Sequence, residues 1–332
     1  MQPTRRRFIA IAAAAGGLPL LPFAAAKYAS ASNPLLRVWS GAALGADATM
    51  QIHHPDPARA DALIAASLAE VERLETQLSL YRPDSAICRL NRDGVLDDPP
   101  FDLIRALSQS RRFGDMTGGA FDVTVQPLWE LYARHFSRPD ASPSGPSDEE
   151  LAAVVARIGQ DALEVGEDRI RLTRPAMSVT LNGIGEGYVT DRVVDLLRAG
   201  GVEHAMVNMG EIYAIGSHPS GGPWSVGLED PRAPKRITER VTLQDRALAT
   251  SAGYGTTFDR AGQYNHLFEP RTGHTSWRWL SVSVEAATAT EADALSTAFS
   301  VMPEEATAPI VRRLGLVAHF VRPDGTRLVQ LA

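Results

Sequence analysis

Short segments with the composition of β-strands are frequent from Leu163 onward, and two helical patterns interrupt them. Apolar and β-branched residues concentrate in Leu163–Val165, Ile170–Leu172, Ser178–Leu181, Ala205–Val207, Trp224–Leu228, Val241–Leu243 and Leu280–Val284. The helical patterns cover about Tyr188–Ala199 and about Glu291–Met302. Successive parallel strands need a long crossover, usually a helix, between them. This order therefore argues against a regular βαβ fold.

Turn signals indicate how these strands pair. Gly166-Glu167-Asp168 and Pro323-Asp324-Gly325 are typical hairpin turns, which join antiparallel neighbours. Leucine, isoleucine and valine recur at helical spacing from Leu63 to Leu78, after Asp56-Pro57, and a shorter pattern covers Phe101 to Phe113. We therefore predict an α+β protein with mixed, largely antiparallel sheets and packed helices.

Composition excludes several classes of protein. The 332 residues are 44% hydrophobic and 22% charged, which is typical of a globular chain and not of a disordered or repetitive one. The formal net charge is −6 and no long basic run is present, so nucleic acid is not expected as the main partner. The single cysteine, Cys88, excludes an intramolecular disulfide and is interpreted as a core residue.

The N-terminal residues have the layout of a secretory signal. Thr4-Arg5-Arg6-Arg7-Phe8-Ile9 precedes a weakly apolar segment that is interrupted by glycine and proline, which disfavours a membrane anchor. Small residues at Ala24-Ala25-Ala26 and at Ala29-Ser30-Ala31 offer two cleavage sites. The paired arginines favour the twin-arginine route over an ordinary secretion signal. We expect a leader over residues 1–31, cleaved near 26 or 31, and a soluble periplasmic domain over 32–332.

Two segments can each be explained as chemistry or as plain turns. Leu80-Tyr81-Arg82-Pro83-Asp84-Ser85 follows the long helix and equally resembles a helix end with a turn. In Thr117-Gly118-Gly119-Ala120-Phe121-Asp122, the glycines permit close approach of a ligand, Phe121 can stack on a planar ring and Asp122 can accept hydrogen bonds. A simple glycine loop remains an alternative for this second segment.

A third segment passes from a predicted strand into alternating glycines and then a helix. These are Gly183, Gly185 and Gly187, within Thr180 to Tyr188. This arrangement brings backbone N–H groups and a helix N-terminus to a phosphate. Tyr188 stands at the last glycine of the dinucleotide fingerprint, so that motif is excluded. Contact to phosphate, or to a metal through a backbone carbonyl, is favoured.

Two further segments carry candidate catalytic groups. His266, beside a Pro/Gly turn at Pro270 to Gly273, is suited to proton transfer near neutral pH, although a lone histidine is more often structural. The other histidines show no zinc-site spacing. Asp293 and Thr297 lie four positions apart on one helix face, which suits a hard cation such as Mg²⁺. The alternative is that Asp293 closes a capping box with Thr290.

The order of these motifs is more specific than any one of them. From about Ala42 to Met302, the chain resembles the ApbE family of FAD:protein FMN transferases. The similarity includes the segments that begin at Tyr81, Thr117, Gly183, His266 and Ala292, in that order. Further segments at Asn208-Met209-Gly210-Glu211-Ile212, Trp224-Ser225-Val226-Gly227 and Thr250-Ser251-Ala252-Gly253 also look like family segments.

The resemblance implies a fold with a central FAD cleft and a defined reaction. Family members use Mg²⁺ and transfer FMN from FAD to a Thr or Ser hydroxyl of an exported or membrane acceptor protein, releasing AMP. By match of position, Gly183, Asp293 and Thr297 are the expected metal ligands, and His266 and Asp293 the catalytic residues. The expected FAD-contacting residues are Leu44, Tyr81, Ala120, Phe121, Asp122, Thr180, Glu186 and Leu267.

The chain departs from the family pattern at five positions. Leu44-Gly45-Ala46 stands where Met-Gly-Thr is frequent, Thr180 where aspartate is usual, Glu186 where lysine is common, and Glu269 where aspartate is usual. The metal pair and His266 are retained, so an active transferase is expected. The expected acceptor carries an Asp-x-x-Thr/Ser-type motif, as in a respiratory redox subunit, and would be the protein's sole link to a membrane.

Two other activities are compatible with the same residues. A flavin-delivery protein would bind FAD without transferring it. An Mg²⁺-dependent FAD pyrophosphatase would use water in place of the acceptor hydroxyl and yield AMP and free FMN. Dependence of AMP release on an acceptor separates these activities from the transferase.

Overall fold

A computed structural model describes residues 35–332, without the side chains of residues 234 and 235. The strands are β1 (Leu36–Ala43), β2 (Ala46–His53), β3 (Val95–Asp97), β4 (Leu163–Val165), β5 (Arg169–Leu172), β6 (His204–Asn208), β7 (Ile212–Ile215), β8 (Trp224–Asp230), β9 (Ala233–Leu243), β10 (Arg246–Ser251), β11 (Ser281–Ala286), β12 (Val317–Val321) and β13 (Arg327–Leu331). The helices are α1 (Pro57–Leu78), α2 (Ala86–Asp93), α3 (Phe101–Met116), α4 (Gln126–Phe136), α5 (Asp148–Val155), α6 (Gly185–Ala199), α7 (Ala289–Val301) and α8 (Glu304–Leu314).

An eight-stranded sheet organises the molecule, with the order β1-β2-β6-β7-β10-β11-β12-β13. A three-stranded sheet, β3-β5-β4, and the β8–β9 hairpin accompany it. The α+β class with largely antiparallel sheets is confirmed, and in residues 35–332 every pair of neighbouring strands is antiparallel. The two predicted hairpin turns join β4 to β5 and β12 to β13, as expected.

The main core lies between one face of the large sheet and the helices. Side chains alternate between the faces of a strand, so Ala249, Val282 and Val284 point toward the helices while their neighbours point away. Helix α7 lies directly on this face and packs against α6. Its residues are buried on nearly all sides, which explains its weak amphipathicity. This position places Asp293 and Thr297 within the protein and next to the start of α6.

Helix α1 forms as its apolar spacing predicts and covers the same core. Asp56 caps its N-terminus by accepting hydrogen bonds from the N–H groups of Ala58 and Arg59, and Pro57 fits the first helical position. Leu63, Ile64 and the other apolar residues of the pattern face the core. The helix ends at Leu78, so the segment from Leu80 to Ser85 leads directly away from a fixed helix end.

The predicted strand Ser178–Leu181 is not part of a sheet, and this prediction is wrong. The Asn91 side chain donates to the carbonyl of Val179 at 2.8 Å and accepts from its N–H at 2.7 Å. The Thr180 N–H donates to the carbonyl of Val123 at 2.8 Å. A side-chain amide and a neighbouring turn therefore satisfy backbone groups that a second strand would otherwise pair.

Two expectations concern membranes and export. In residues 35–332, no helix combines the length and apolar composition that crossing a bilayer requires. The expected twin-arginine leader lies outside the described residues, and the domain boundaries at 31 and 32 stay predictions.

Candidate functional site

The junction of α6 and α7 holds Asp293 in a defined position. Asp293 is almost fully buried, and its Oδ2 accepts a hydrogen bond of 3.0 Å from the N–H of Gly187 in the first turn of α6. A Cβ atom on Gly187 would lie 2.3 Å from the carbonyl oxygen of Ala289 and 2.8 Å from the Asp293 Cβ. Only glycine at this position lets α6 begin so close to α7.

The capping-box alternative for Asp293 is wrong because other residues cap α7. Thr288 is the N-cap and accepts from the N–H of Glu291 at 3.1 Å. Asp191 of α6 accepts from the N–H groups of Ala289 and Thr290, at 2.7 and 2.9 Å. The helix start is therefore satisfied without Asp293, whose carboxylate is left for another role.

Gly183 and Thr297 lie against each other beside this carboxylate. A Cβ atom on Gly183 would be 3.0 Å from the Thr297 Oγ1, and the Ser251 Oγ lies 3.2 Å from the same oxygen. A backbone carbonyl, a carboxylate and a hydroxyl are all hard oxygen donors, the type that Mg²⁺ prefers. The donor set of Gly183, Asp293 and Thr297 thus fits a magnesium ion.

Histidine, cysteine and acidic side chains alone do not form a metal site in the described residues. Residues 35–332 contain no group of three or more such side chains placed to bind a metal. Of the three expected ligands only Asp293 belongs to these residue types, because the others are a backbone carbonyl and a hydroxyl. The metal ligands stay a prediction.

Two further carboxyl groups, those of Glu186 and Glu211, lie near Asp293. Burial, followed by the carboxylates of Asp293 and Glu186, raises the pKa of Glu211 well above its usual range. Burial, followed by the charge of Glu186, does the same to the pKa of Asp293. Burial alone raises the pKa of Glu186 to about 7. A cation placed among these groups would favour their ionised forms.

Glu211 was not predicted as a site residue, although its segment was recognised as similar to the family. It follows Gly210 in the turn between β6 and β7. A Cβ atom on Gly210 would lie 2.3 Å from the Glu186 Oε2, which brings this turn against the start of α6. The proximity depends on the pairing of β6 with β7, and no spacing in the sequence reveals it.

Leu44 and Tyr81 come together through a glutamate of α1. Leu44 occupies the β1–β2 turn with φ 50°, and its N–H donates to the Glu75 Oε1 at 2.9 Å. The Glu75 Oε2 pairs with Arg82 at 3.0 Å. Tyr81 is 51% exposed, and desolvation of its hydroxyl, together with the charge of Glu186, raises its pKa. Both expected FAD-contacting residues therefore lie on one linked set of turns.

In the segment from Ala120 to Asp122, the side chains are less available to a ligand than the sequence indicates. Phe121 is 3% exposed and packs edge-to-face on Phe113, with ring centroids 6.4 Å apart, so its ring is not presented for stacking. Asp122 Oδ1 accepts from the N–H and hydroxyl of Thr124, and Oδ2 accepts from the N–H of Gln160 at 3.2 Å. Burial raises the pKa of Asp122 despite these bonds.

Ala120 is half-buried against the main core. The loop would therefore contact a ligand mainly through its backbone. Thr180 is held beside the same loop by its bond to Val123, and its hydroxyl accepts from the N–H of Asn182 at 3.1 Å. The Thr180 hydroxyl is thus engaged in a local turn.

His266 has a fixed ring orientation. Its Nδ1 lies 3.1 Å from the carbonyl oxygen of Thr256, which requires a proton on Nδ1 and leaves Nε2 as the acceptor in the neutral ring. Burial lowers the pKa of His266, while the bond to Thr256 acts in the opposite direction. The fully buried Asn265 bonds the N–H of Leu267 and the carbonyl of Ser276, and so fixes the loop on both sides of the histidine.

Leu267 is itself buried, and its carbonyl accepts from the N–H of Ser276 at 2.8 Å.

A contact between the His266 loop and the glycine loop was not predicted. Arg271 donates from Nη2 to the carbonyl of Gly118 at 2.7 Å and thereby joins the His266 loop to the glycine loop that carries Ala120. The arginine lies inside a motif noted in the sequence, but its partner is 153 positions away.

Comparisons with known proteins identify a family. Residues 44–320 match the profile of the ApbE family. An FAD:protein FMN transferase of Vibrio cholerae serotype O1 is 34% identical over 244 residues, which cover 71% of this chain and 72% of the relative. The structure is similar to the flavin transferase ApbE from Vibrio cholerae, with a TM-score of 0.76 and 28% identity over 88% of this chain and 96% of the other.

A third similarity is to the crystal structure of the ApbE protein from Thermotoga maritima. Its TM-score is 0.78 and its identity 25%, with coverage of 89% of this chain and 97% of that one. The family match extends over the α6–α7 junction and the surrounding turns, because residues 44–320 include Leu44, Asp293 and Thr297.

Proposed function

This chain belongs to the ApbE family and is a flavinyltransferase that takes its flavin from FAD, and we propose that it transfers FMN to a Thr or Ser hydroxyl of an exported acceptor protein in an Mg²⁺-dependent reaction that releases AMP. The observation that carries this proposal is the position of Asp293. It lies buried beside Gly183 and Thr297 at the start of α6, and it is not needed to cap its own helix.

Gly183, Asp293 and Thr297 would hold the magnesium ion. A bound Mg²⁺ supplies neutralisation of the pyrophosphate charge and orientation of the leaving phosphate. The role of the chain is to fix these donors before substrate binds. The Gly187–Asp293 bond and the Asp191 cap both restrain α6 relative to α7, so the three donors need little rearrangement.

His266 is the proposed general base. The acceptor hydroxyl oxygen forms a bond to the FMN-side phosphorus, the bond from that phosphorus to the AMP oxygen breaks, and the hydroxyl proton passes to the His266 Nε2. The bond from Nδ1 to Thr256 leaves Nε2 free of a proton in the neutral ring. The lowered pKa keeps the ring in that form at neutral pH.

The surrounding turns would hold the flavin nucleotide. Leu44 and Tyr81 are presented by the Glu75-linked turns, and Ala120 by the glycine loop. Asp122 and the Thr180 hydroxyl would act mainly by shaping these loops, because their oxygens are engaged in local hydrogen bonds. Glu186, in place of the family's frequent lysine, adds to the negative charge near the proposed cation.

The cellular setting is part of the same proposal. A twin-arginine leader would export the folded enzyme to the periplasm, where the acceptor would be a redox subunit with an Asp-x-x-Thr/Ser-type motif. The paired Arg5 and Arg6 before Phe8 support this export route.

The decisive experiment follows AMP and flavin in one reaction. The mature protein is incubated with FAD and Mg²⁺, with and without an acceptor domain that carries the Asp-x-x-Thr motif, and in-gel flavin fluorescence is read on the acceptor. We expect AMP and fluorescent acceptor to appear in equal amounts. An acceptor with the target Thr replaced by Val is the matched control. AMP without fluorescent acceptor would instead indicate a pyrophosphatase, and bound FAD with neither product a flavin carrier.

A further inference from the structure

Three hydroxyl groups link strand β10 to helix α7 beside Asp293. The Ser251 Oγ lies 2.8 Å from the Ser296 Oγ and 3.2 Å from the Thr297 Oγ1. The Ser296 Oγ lies in turn 3.0 Å from the backbone carbonyl oxygen of Asp293. Ser296 is fully buried, so its hydroxyl has to be satisfied by protein groups. These three hydroxyls, with the Asp293 carbonyl at one end, form a hydroxyl chain between two expected metal ligands.

The direction of each hydrogen bond in the hydroxyl chain follows from the carbonyl at its end. A carbonyl oxygen only accepts, so the Ser296 hydroxyl donates its one proton to Asp293. Ser296 can then only accept from Ser251, which uses the one proton of Ser251. Ser251 can in turn only accept from Thr297. The Thr297 proton is therefore directed at Ser251.

This direction leaves the Thr297 oxygen suited to bind a cation. A hydroxyl binds a metal ion through an oxygen lone pair, and a proton aimed at the ion would repel it. In residues 35–332, the structure gives the Thr297 Oγ1 no hydrogen bond other than the one to Ser251. Its lone pairs therefore stay available to another partner. The oxygen also lies beside Gly183, where a Cβ atom would approach it to 3.0 Å.

The large sheet fixes the position of Ser251. Ser251 is the last residue of β10 and pairs with Val282 of β11. Side chains alternate along a strand, so Ser251 faces α7 while Thr250 faces the opposite side of the sheet. There the Thr250 Oγ1 lies 2.8 Å from the Ser283 Oγ. The same two strands thus carry a comparable hydroxyl pair that is directed away from the proposed metal site.

We propose that Ser251 is a positioning residue, which holds the Thr297 hydroxyl with its lone pairs available to Mg²⁺, and that Ser296 sets the direction of the hydroxyl chain. The inference rests on the proposed transferase function and adds to it the groups that orient one metal ligand. Such groups commonly affect metal affinity although they do not contact the ion. Neither serine is assigned a contact with the ion or with FAD.

Magnesium binding tests Ser251 without requiring catalysis. The metal-free mature protein is titrated with magnesium chloride by calorimetry, first alone and then with saturating FAD, whose phosphates can complete the coordination shell. Ser251→Ala should raise the Kd for Mg²⁺ about tenfold or more, because loss of a group that orients a metal ligand typically costs 10- to 100-fold in affinity. Ser283→Ala removes a hydroxyl from the pair on the opposite face and should leave the Kd within about twofold.

Ser296→Ala tests the direction of the hydroxyl chain. Without Ser296, the Ser251 proton can turn to the Thr297 oxygen and occupy one of its lone pairs. The Kd for Mg²⁺ should therefore rise about three- to tenfold, at the lower end of such effects. Ser300→Ala is the matched control, because it makes the same change one turn further along α7. The Ser300 Oγ donates to the Ser296 carbonyl at 2.8 Å and takes no part in the hydroxyl chain.

A double variant separates orientation of the hydroxyl from loosened packing. If Ser296 acts only through Ser251, the protein with both Ser251→Ala and Ser296→Ala should bind Mg²⁺ as Ser251→Ala alone does. FAD affinity without Mg²⁺, read from flavin fluorescence, should stay within about twofold in each variant. Additive losses of Mg²⁺ affinity would instead show that the two serines only hold α7 against β10, and would overturn the inference.

The remaining outcomes separate this inference from the proposed function. Weaker Mg²⁺ binding in Ser251→Ala and Ser296→Ala, with both controls unchanged, supports it. An unchanged Kd in Ser251→Ala overturns it. FMN transfer by the unaltered protein is measured separately, so transfer combined with an unchanged Kd would overturn only the role of Ser251. Absence of Mg²⁺ binding by the unaltered protein in both titrations would overturn the proposed metal site together with the inference.

Discussion

The α6–α7 junction and the loops around it position their residues in opposite ways. At the junction, Asp191, Gly187 and Asp293 connect two buried helices by backbone contacts and several hydrogen bonds. The loops that carry Leu44 and His266 are joined to their surroundings by a few side-chain bonds, such as those of Glu75 and Arg271. Helices would fix the donors of the proposed metal site, whereas loops can adjust to the substrate. Variants in the two regions should therefore fail differently.

The largest effect is expected at Asp293. Asp293→Asn should lower kcat/KM for FMN transfer about 10³-fold or more, because the charged donor of the proposed metal site is lost. The melting temperature of the metal-free protein should not fall, since a buried carboxylate with a raised pKa is replaced by a neutral amide. The rise in melting temperature on adding Mg²⁺ should disappear.

Asp191→Asn is the matched control at the same junction. Asp191 caps α7 and is not a proposed ligand, so this variant should cost about 1 kcal/mol of stability and retain transfer. If Asp293→Asn instead destabilised the protein and kept its activity, the assignment of Asp293 to the metal site and of Asp191 to the helix cap would be wrong.

A smaller loss is expected at His266, with a characteristic pH dependence. His266→Asn should reduce kcat about 10²- to 10³-fold, the usual contribution of a general base. In the unaltered protein, burial lowers the pKa of His266 below 6.5, so kcat/KM should stay constant down to about pH 6.5 and fall only at lower pH. His274→Asn, in an exposed position of the same segment, should leave the profile unchanged.

The same pKa shift has a consequence for stability. Because the unfolded chain takes up the His266 proton first as the pH falls, the native state should lose stability below about pH 6.5. Chemical denaturation at several pH values would measure this, and His266→Asn should remove part of the dependence. A stability that increased toward pH 5 in the unaltered protein, relative to His266→Asn, would contradict the burial of this ring.

Gly187 tests how closely the junction is packed. Gly187→Ala should lower the free energy of unfolding by about 1–3 kcal/mol, because the added methyl meets the Ala289 carbonyl at 2.3 Å. Gly185→Ala is the control, since its Cβ would make an ordinary 3.5 Å contact with Leu181. Denaturant titration of both variants would measure their free energies of unfolding. Equal values would show that the stability of the protein does not require the close approach of α6 and α7.

The smallest effect is expected in the loops. Arg271→Met removes one hydrogen bond, to Gly118, which contributes about 0.5–1.5 kcal/mol. We expect KM for FAD to rise about two- to tenfold with kcat little changed, because the bond joins two loops and touches no reacting atom. Arg278→Met is the control, because it removes the charge of another exposed arginine beyond the turn. A comparable rise in that control would show that Arg271 acts through general charge.

Local patterns predicted the parts of the molecule that are governed by local physics. The helices α1 and α7, the hairpin turns and the α+β class follow from apolar spacing and turn residues. The strand prediction at Ser178–Leu181 was wrong, because apolar composition does not distinguish a sheet partner from the Asn91 side chain. Strands β1, β2, β3, β7 and β10 were not predicted, and β12 and β13 were indicated only by the turn between them, since pairing partners decide such strands.

The candidate site shows the same limit. Asp293 and Thr297 were identifiable by their spacing on one helix face, and ordered motifs revealed the family. Glu211 was missed as a site residue because only the β6–β7 pairing brings it to Asp293. Phe121 has the right residue type for stacking, but its burial against Phe113 depends on the packing of α3, which the motif does not encode.

The Asn91–Val179 contact determines where the chain can accept insertions. Two paired strands can slide by two residues and still satisfy their hydrogen bonds and faces. The Asn91 amide donates to and accepts from one residue only, Val179, so the segment before Thr180 has only one register. Insertions in the preceding turn at Arg174–Met177 can therefore be absorbed as loop length, while the spacing from Val179 to Gly183 stays fixed.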